Sequence, residues 1–216
     1  MKDIEIFPGV YKIDGKLATL NSVKGFKVYD EKLIHKSGNE YRIWDPFRSK
    51  LAAAILKGLK NFPFNNKSNV LYLGASAGTT PSHIADITVG LIYCVEFSQR
   101  MMRELLLVCE KKKNMIPILG DARHPREYYH NIGPVDVIYQ DVAQPNQAEI
   151  LLNNTEYFNP KFAILSIKSR SINSVKSPKQ IFREEIDKLK DRFNILETID
   201  LNPYDKDHVV VNMKIR

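Results

Sequence analysis

Residues 69–80, NVLYLGASAGTT, read as a strand, a turn of small residues and the start of a helix. Val70 to Leu73 is a short apolar run, suited to a strand covered on both faces in a parallel sheet. Gly74, Ala75, Ser76, Ala77 and Gly78 are all small, as a backbone needs where it turns sharply or lets a ligand come close. Thr79 or Thr80 is placed to cap the helix, with Pro81 in its first turn. Three ligand classes compete for such a turn. A phosphate loop needs GxxxxGK followed by Ser or Thr, and no Lys follows Gly78, which argues against a nucleoside triphosphate. The dinucleotide fingerprint GxGxxG needs glycine where Ser76 and Thr79 stand. The looser GxGxG spacing of methyltransferases keeps Gly74 and Gly78 and needs only Ser76 for the middle glycine. That spacing favours S-adenosylmethionine, which has no pyrophosphate to cradle. A tight βα turn with no ligand is the plainer alternative.

With 216 residues and 44% hydrophobic content, the chain can bury one full core with a small appendage. Its 32 Lys and Arg against 25 Asp and Glu leave +7, a balance that suits a polyanionic partner. Asp86 interrupts the longest candidate membrane span, and MKDIEIFPG lacks the basic-then-apolar form of a signal peptide. Cys94 and Cys109 lie in apolar patterns and read as packing residues, not as a metal set or a disulfide framework. The expectation is a soluble intracellular protein with no metal and no membrane contact.

Along the chain, residues 1–43 read as a small antiparallel β-domain. Val10–Ile13 and Lys16–Thr19 flank the hairpin pair Asp14-Gly15, and Gly25–Tyr29, Leu33–His35 and Glu40–Trp44 also read as strands. Asp45-Pro46 then opens a helix with Leu51, Ala52, Ile55, Leu56 and Leu59 on its apolar stripe. Over 44–216, strands are expected at 69–74, 90–96, 115–119, 134–141, 161–168, 193–200 and 207–215. Ser98–Lys112 and Ser177–Arg192 are the clearest helices between them. Alternating strands and helices predict an α/β fold: an open, largely parallel sheet covered on both sides. Asn202-Pro203 allows a hairpin, so the last strand is expected to be antiparallel.

Open sheets of this kind bind ligands at the carboxyl ends of their strands. Glu96 ends the second strand, about twenty residues after the glycine turn, where an acidic group accepts from ribose hydroxyls. Phe97 beside it is available to stack on a purine. Asp121 follows the third strand in ILGDARHP and suits the adenine amino group; Asp141 ends the fourth in VIYQDVAQP, with Gln144 a turn later. Glu96 and Phe97 fit NAD as well as S-adenosylmethionine, so residues alone leave that choice open.

RIWDPFRSKLAAAILKGL, VLYLGASAGTTPSHIAD, VEFS, GDAR, YQDVAQPNQ, SIKSRSI and DHVVV together resemble fibrillarin in its short archaeal form. The resemblance runs in order over nearly the whole chain. It implies a class I S-adenosylmethionine-dependent methyltransferase domain, with a Rossmann-like seven-stranded sheet, behind a small β-domain. It further implies 2′-O-methylation of ribosomal and transfer RNA within a box C/D guide ribonucleoprotein. Eukaryotic forms carry a glycine–arginine-rich N-terminal region, whereas this sequence starts at the β-domain; the expectation is an archaeal, cytoplasmic protein. Carried over residue by residue, the resemblance sets the cofactor against Thr79, Thr80, Glu96, Phe97, Asp121, Ala122, Asp141 and Gln144. It also implies a catalytic set of Lys50, Asp141, Lys168 and His208.

Methyl transfer from a sulfonium is an in-line displacement that needs an aligned nucleophile, and a ribose hydroxyl needs its proton drawn off or held. Lys168 is the candidate base, Lys50 the second cation, Asp141 the orienting group and His208 the completing member. Burial and a neighbouring cation are the means by which a lysine pKa falls. Lys111–Lys113 at a helix end reads as a solvated run. Arg123, His124, Arg126, Lys168, Arg170, Lys176 and Lys179 lie just beyond strand ends, where they could flank an RNA groove. The sequence holds no recognised RNA-reading motif, so the resemblance implies partners: guide RNA, a Nop-domain scaffold and a kink-turn-binding protein of the ribosomal type. Two rivals stand beside this reading, a methyltransferase for small molecules or proteins and a non-catalytic RNA-binding scaffold. Absence of an Asn/Asp-Pro-Pro-aromatic motif after the fourth strand argues against methylation of a nucleobase amino group.

Overall fold

The computed structural model describes residues 4–216; residues 1–3 of the expected β-domain lie outside the described residues. The first five strands are β1 (Ile4–Phe7), β2 (Val10–Ile13), β3 (Lys16–Leu20), β4 (Leu33–Lys36) and β5 (Asn39–Ile43). They form one antiparallel sheet in the order β1-β2-β3-β5-β4. Asp14 and Gly15 both take positive φ (48° and 82°), the condition for a two-residue turn whose twist matches its strands. Strand β1 had no clear signal. Gly25–Tyr29 is a loop instead of the expected strand, because side chains satisfy its backbone. Glu31 accepts from the N–H of Val28 and Tyr29 at 3.0 and 2.8 Å, and Glu40 from that of Gly25 at 2.8 Å.

All seven expected strands of the second sheet are present: β6 (Val70–Leu73), β7 (Ile92–Glu96), β8 (Met115–Leu119), β9 (Val137–Gln140), β10 (Phe162–Lys168), β11 (Phe193–Asp200) and β12 (His208–Ile215). Their order is β11-β12-β10-β9-β6-β7-β8, with β12 antiparallel to both neighbours as expected. Among the described residues six α-helices accompany them: α1 (Lys50–Leu56), α2 (Thr79–Ile87), α3 (Gln99–Lys111), α4 (Gln147–Phe158), α5 (Ser169–Ile172) and α6 (Pro178–Leu189). Strand alternation feeds two cores. Val70 and Tyr72 join the cluster containing Leu51, Ile84 and Leu105, while Leu71 and Leu73 join the one containing Leu151, Leu165 and Leu189.

Helix starts depart from expectation in two places. Asp45-Pro46 makes a turn in which Asp45 Oδ1 accepts from the Phe47 N–H at 2.9 Å; the helix begins only at Lys50, capped by Ser49. Helix α2 is capped by Gly78 at φ 88°, not by Thr79 or Thr80, which lie inside it. Ser98 and Ser177 cap α3 and α6 as read. Among the described residues no helix is long and apolar enough to cross a membrane.

The small sheet is fastened to the large one by buried charge. Arg42 on β5 donates to Glu31 Oε1 at 2.6 Å and to Asp86 Oδ2 on α2 at 2.7 Å, and Lys112 pairs with Asp86 Oδ1. The side chains of Arg42, Asp86 and Lys112 are all fully buried. Lys112 therefore corrects the reading of Lys111–Lys113 as solvated. It continues the buried stripe of Leu105 and Val108, so helical spacing carries it inward. Burial acts hardest against the Asp86 carboxylate, but Lys112 and Arg42 outweigh it and hold its pKa below the ordinary carboxylate value. A depressed folded-state pKa means the stabilisation is present above the unfolded value and is lost as pH falls through the folded one. Asp86→Ala leaves two cations buried without their carboxylate and should cost about 3–5 kcal/mol in denaturant unfolding at neutral pH. The difference from wild type should shrink as unfolding is measured at pH values falling through the acid range; a constant difference would show that Asp86 stabilises by packing.

Candidate active site

The glycine turn is shaped by contact with the end of β9. Gly74 takes φ +84°, and a Cβ there would lie 2.8 Å from the Asp141 carbonyl oxygen. Ser76, standing for the middle glycine, also has a positive φ of 49°. Its N–H donates to Glu96 Oε2 at 2.8 Å, while the Ser98 N–H donates to Oε1 at 2.8 Å. The carboxylate that ends β7 is thus clamped between the turn after β6 and the cap of α3. Around it opens a hollow of about 360 Å³ lined by Gly74, Ser76, Glu96, Phe97, Asp121, Ala122, Asp141, Gln144 and Lys168. Val95, Ser98, Met101, Gly120, Val142 and Ala143 complete the wall, and none of them is among the cofactor residues expected from the sequence. Phe97 is 63% exposed at its mouth. Asp121 receives Arg123 through Nε at 2.9 Å and through Nη2 at 2.5 Å, and these hydrogen bonds hold its pKa down.

A second hollow of about 260 Å³ adjoins the first, and both are lined by Gly74, Ser76, Asp141 and Lys168. Its remaining wall includes Arg48, Lys50, Tyr72, Thr79 and Thr80. The two threonines thus face this neighbouring space, and the Thr80 hydroxyl donates to Ser49 Oγ at 2.9 Å. Gly78 lines neither hollow; a Cβ there would meet Leu105 and Val108 of α3, so its role is to let α2 start close to α3.

Lys50, Asp141 and Lys168 meet between the two hollows. Lys168 Nζ lies 2.8 Å from Asp141 Oδ1 and donates to the Asp141 carbonyl at 3.1 Å; Lys50 Nζ lies 3.2 Å from the same Oδ1. Burial works hardest against the Asp141 carboxylate, yet the two ammonium groups outweigh it and keep its pKa below the ordinary value. Burial likewise acts most strongly on Lys50, but Asp141 and Asp205 overcome it and raise its pKa. Lys50 is thus held in its protonated, cationic form. His208 is the ladder partner of Lys168 across β12 and β10, and its side chain turns to Asp205 at 2.8 Å.

Two residues in this arrangement escaped the sequence reading. Asp205 stands 3.5 Å from Lys50 Nζ and also faces His208; an acidic residue three positions before a histidine was the available signal. Gln147, fully buried at the start of α4, accepts from the Lys168 N–H at 2.9 Å and donates to the Gln144 carbonyl at 2.9 Å. Nothing local marks a glutamine for that task. Of the expected groove cations, Arg170 pairs with Asp207 and Lys176 with Glu184, while His124, Arg126 and Lys179 are exposed.

A profile of the fibrillarin family matches residues 1–216. The fibrillarin-like rRNA/tRNA 2′-O-methyltransferase of Methanocaldococcus jannaschii is 52% identical over 97% of this chain and 96% of that protein. Fibrillarin from Aeropyrum pernix, solved with natively bound S-adenosyl-L-methionine, superposes with a TM-score of 0.87 at 40% identity, over 99% of each chain. A chain of a fibrillarin–Nop5p complex superposes with a TM-score of 0.90 at 38% identity, covering 99% of this chain and 100% of that one.

Gly74→Ala should destabilise the fold by at least about 1–3 kcal/mol, the scale for a side chain forced into left-handed backbone, with the clash on Asp141 added to it. Ser76→Gly, which relieves a positive φ and loses only a weak 3.4 Å hydroxyl contact to Met101 Sδ, should be neutral or mildly stabilising. Chemical unfolding of both variants checks the pair. Equal tolerance at the two positions would remove the close approach of β6 and β9 as the reason for Gly74.

Proposed function

The chain belongs to the fibrillarin family, and on that footing we propose that it methylates ribose 2′-hydroxyls of rRNA and tRNA with S-adenosylmethionine, inside a guide ribonucleoprotein. The observation that carries the cofactor is the polarity of the larger hollow. Glu96, Asp121 and Asp141 line it against a single ammonium, that of Lys168. Asp121 is paired with Arg123 and Asp141 with Lys50 and Lys168, while Glu96 is held by backbone N–H groups alone, so no surplus of cations is left to hold the phosphates of NAD or ATP, and a cationic sulfonium is accepted. The pinned backbone at Gly74 leaves room where a Cβ would otherwise intrude. We assign Glu96 to the ribose hydroxyls, Phe97 and Ala122 to the purine faces and Asp121 to the adenine amino group. Gly74, Ser76, Asp141 and Gln144 complete that wall, and Thr79 and Thr80 face the acceptor side. S-adenosylmethionine, when bound, supplies an electrophilic methyl group.

The residues of the second hollow act on the acceptor. Lys168 spends two Nζ positions on Asp141, leaving one for substrate: a hydrogen while protonated, a lone pair once deprotonated. In that second form it can take the 2′-hydroxyl proton as the new O–C bond develops. Asp141 holds the amine in place, and Lys50, kept protonated by two carboxylates, supplies a fixed positive charge beside it. Lys168→Ala should lower the single-turnover rate on bound RNA by about 10²–10⁴-fold, the range for acid–base assistance, with far smaller changes in RNA and cofactor affinity. Loss of binding with an intact bound-state rate would make Lys168 a phosphate contact.

The fibrillarin–Nop5p structure supports a Nop-domain partner. We further propose a box C/D guide RNA and a kink-turn-binding protein as members of the same particle, in the cytoplasm of an archaeal cell. Residues 1–43 are read as a domain that serves docking, and 44–216 as the catalytic unit. Positioning is what the isolated chain lacks, and orientation of the hydroxyl can be worth about 7–11 kcal/mol. Methylation of one target RNA should be nearly absent with the chain alone and efficient with guide RNA and both partner proteins. Site-selective methylation by the chain alone, or methylation that ignores a mutated guide, would overturn this assignment.

A further inference from the structure

His208 and Lys50 approach one another through a residue that the catalytic set does not include. Asp205 lies in the connection between β11 and β12. Its own N–H donates to the Leu201 carbonyl at 3.2 Å, and Tyr204 beside it packs edge-on against Phe47, 5.2 Å between centroids, in the turn before α1. Lys57 of the α1 cap donates to the Asn202 carbonyl at 2.8 Å, and the Ser169 hydroxyl donates to the Asp207 carbonyl at 3.0 Å. The loop is thus tied at both ends to the elements that carry Lys50 and Lys168.

The carboxylate uses both oxygens. Oδ1 stands 2.8 Å from His208 Nδ1, and Oδ2 stands 3.5 Å from Lys50 Nζ. The same Nδ1 lies 2.6 Å from the Lys206 carbonyl oxygen. A carbonyl and a carboxylate are both acceptors, so the nitrogen facing them has to carry the hydrogen. In the neutral ring that leaves Nε2 as the acceptor nitrogen, a tautomer set by the partner of the opposite nitrogen. We infer that Asp205 is a positioning residue of the catalytic set, reinforcing with the Lys206 carbonyl the Nδ1–H form of His208 and tethering Lys50 through the same carboxylate. Contacts then run without a break from Lys168 through Asp141, Lys50 and Asp205 to His208, which is the ladder partner of Lys168. The ring of contacts ties α1, β9, β10 and β12 into one geometry.

This inference rests on the assignment of Lys50 and His208 to the active site, and the test separates the two. Single-turnover methylation by the assembled particle is measured for Asp205→Ala, Asp205→Asn, Asp205→Glu, His208→Asn and the double variant Asp205→Ala/His208→Asn. Asp205→Ala should slow the reaction by about 10–100-fold, the scale for removing the partner that orients a functional histidine. Asp205→Glu should restore most of the rate, and the double variant should lose less than the two single losses multiplied, because only the share carried through Lys50 remains once His208 is gone. If Asp205→Ala fails to fold, the same-sized Asp205→Asn takes its place and should also be slow. Nitrogen-15 spectra of histidine-labelled protein, assigned with His208→Asn, should show the Nδ1–H form of His208 in wild type and a reduced share of it in Asp205→Ala, where the Lys206 carbonyl alone favours it, with cofactor affinity unchanged. An Nε2–H form in wild type would overturn the inference. So would an Asp205→Ala particle running at the wild-type rate while His208→Asn is slow. A wild-type rate for His208→Asn itself would instead remove His208 from the catalytic set, and the inference with it.

Discussion

One buried carboxylate, Asp141, holds the working face of this protein together. Two ammonium groups reach it from separate elements, Lys50 from α1 and Lys168 from the end of β10, and its own carbonyl takes a third contact from Lys168. The same carbonyl oxygen is the reason position 74 has to be glycine. A carboxylate at this depth is costly unless it is paired, and each pairing lysine is costly unless it has the carboxylate. That mutual dependence fixes the relative placement of α1, β6, β9 and β10. It also sets the charge states: Asp141 is kept ionised and Lys50 protonated, a preorganised field that needs little rearrangement when an RNA hydroxyl arrives.

A second buried charge cluster does comparable work far from the chemistry. Arg42, Glu31, Asp86 and Lys112 join the small antiparallel sheet to α2 and the end of α3. Around it Trp44 stacks on His83 with centroids 4.8 Å apart, and His83 is bonded through both ring nitrogens to Thr19 and Tyr29. The specificity of such an interface comes from directional bonds that only one docking geometry satisfies. The small sheet therefore sits rigidly beside α2, whose first residues line the acceptor hollow, and any partner that grips the sheet also orients the active face.

In the proposed function the two adjoining hollows divide the reaction between them. The larger carries Glu96, held by backbone N–H groups, beside the paired Asp121 and Asp141; the smaller carries Arg48, Lys50 and Lys168 and suits a polyanion that presents a hydroxyl. Asp141 and Lys168 form the partition. Among the cations expected to flank an RNA groove, Arg170 and Lys176 are already paired with nearby carboxylates.

The large sheet was legible because its determinants are local. A four-residue apolar strand, a run of small residues and a helix cap each follow from neighbouring side chains, and all seven strands emerged from such patterns. Glu96, Asp121 and Asp141 were legible because strand ends in an open sheet face one rim. Whatever depends on distant segments was not. Ser49 took the cap expected of Asp45, and Gly25–Tyr29 left the strand pattern because Glu31 and Glu40 satisfied its N–H groups. Lys112 in a run of lysines gave no sign that Asp86, 26 positions earlier, would draw it into the core. Asp205 and Gln147 had ordinary sequence surroundings, and only packing set one between Lys50 and His208 and the other against the Lys168 backbone. Composition and periodicity determined which groups lie at the rim. Tertiary structure alone decided which charges meet there, because a charge is buried only where a partner from another part of the chain offsets its desolvation.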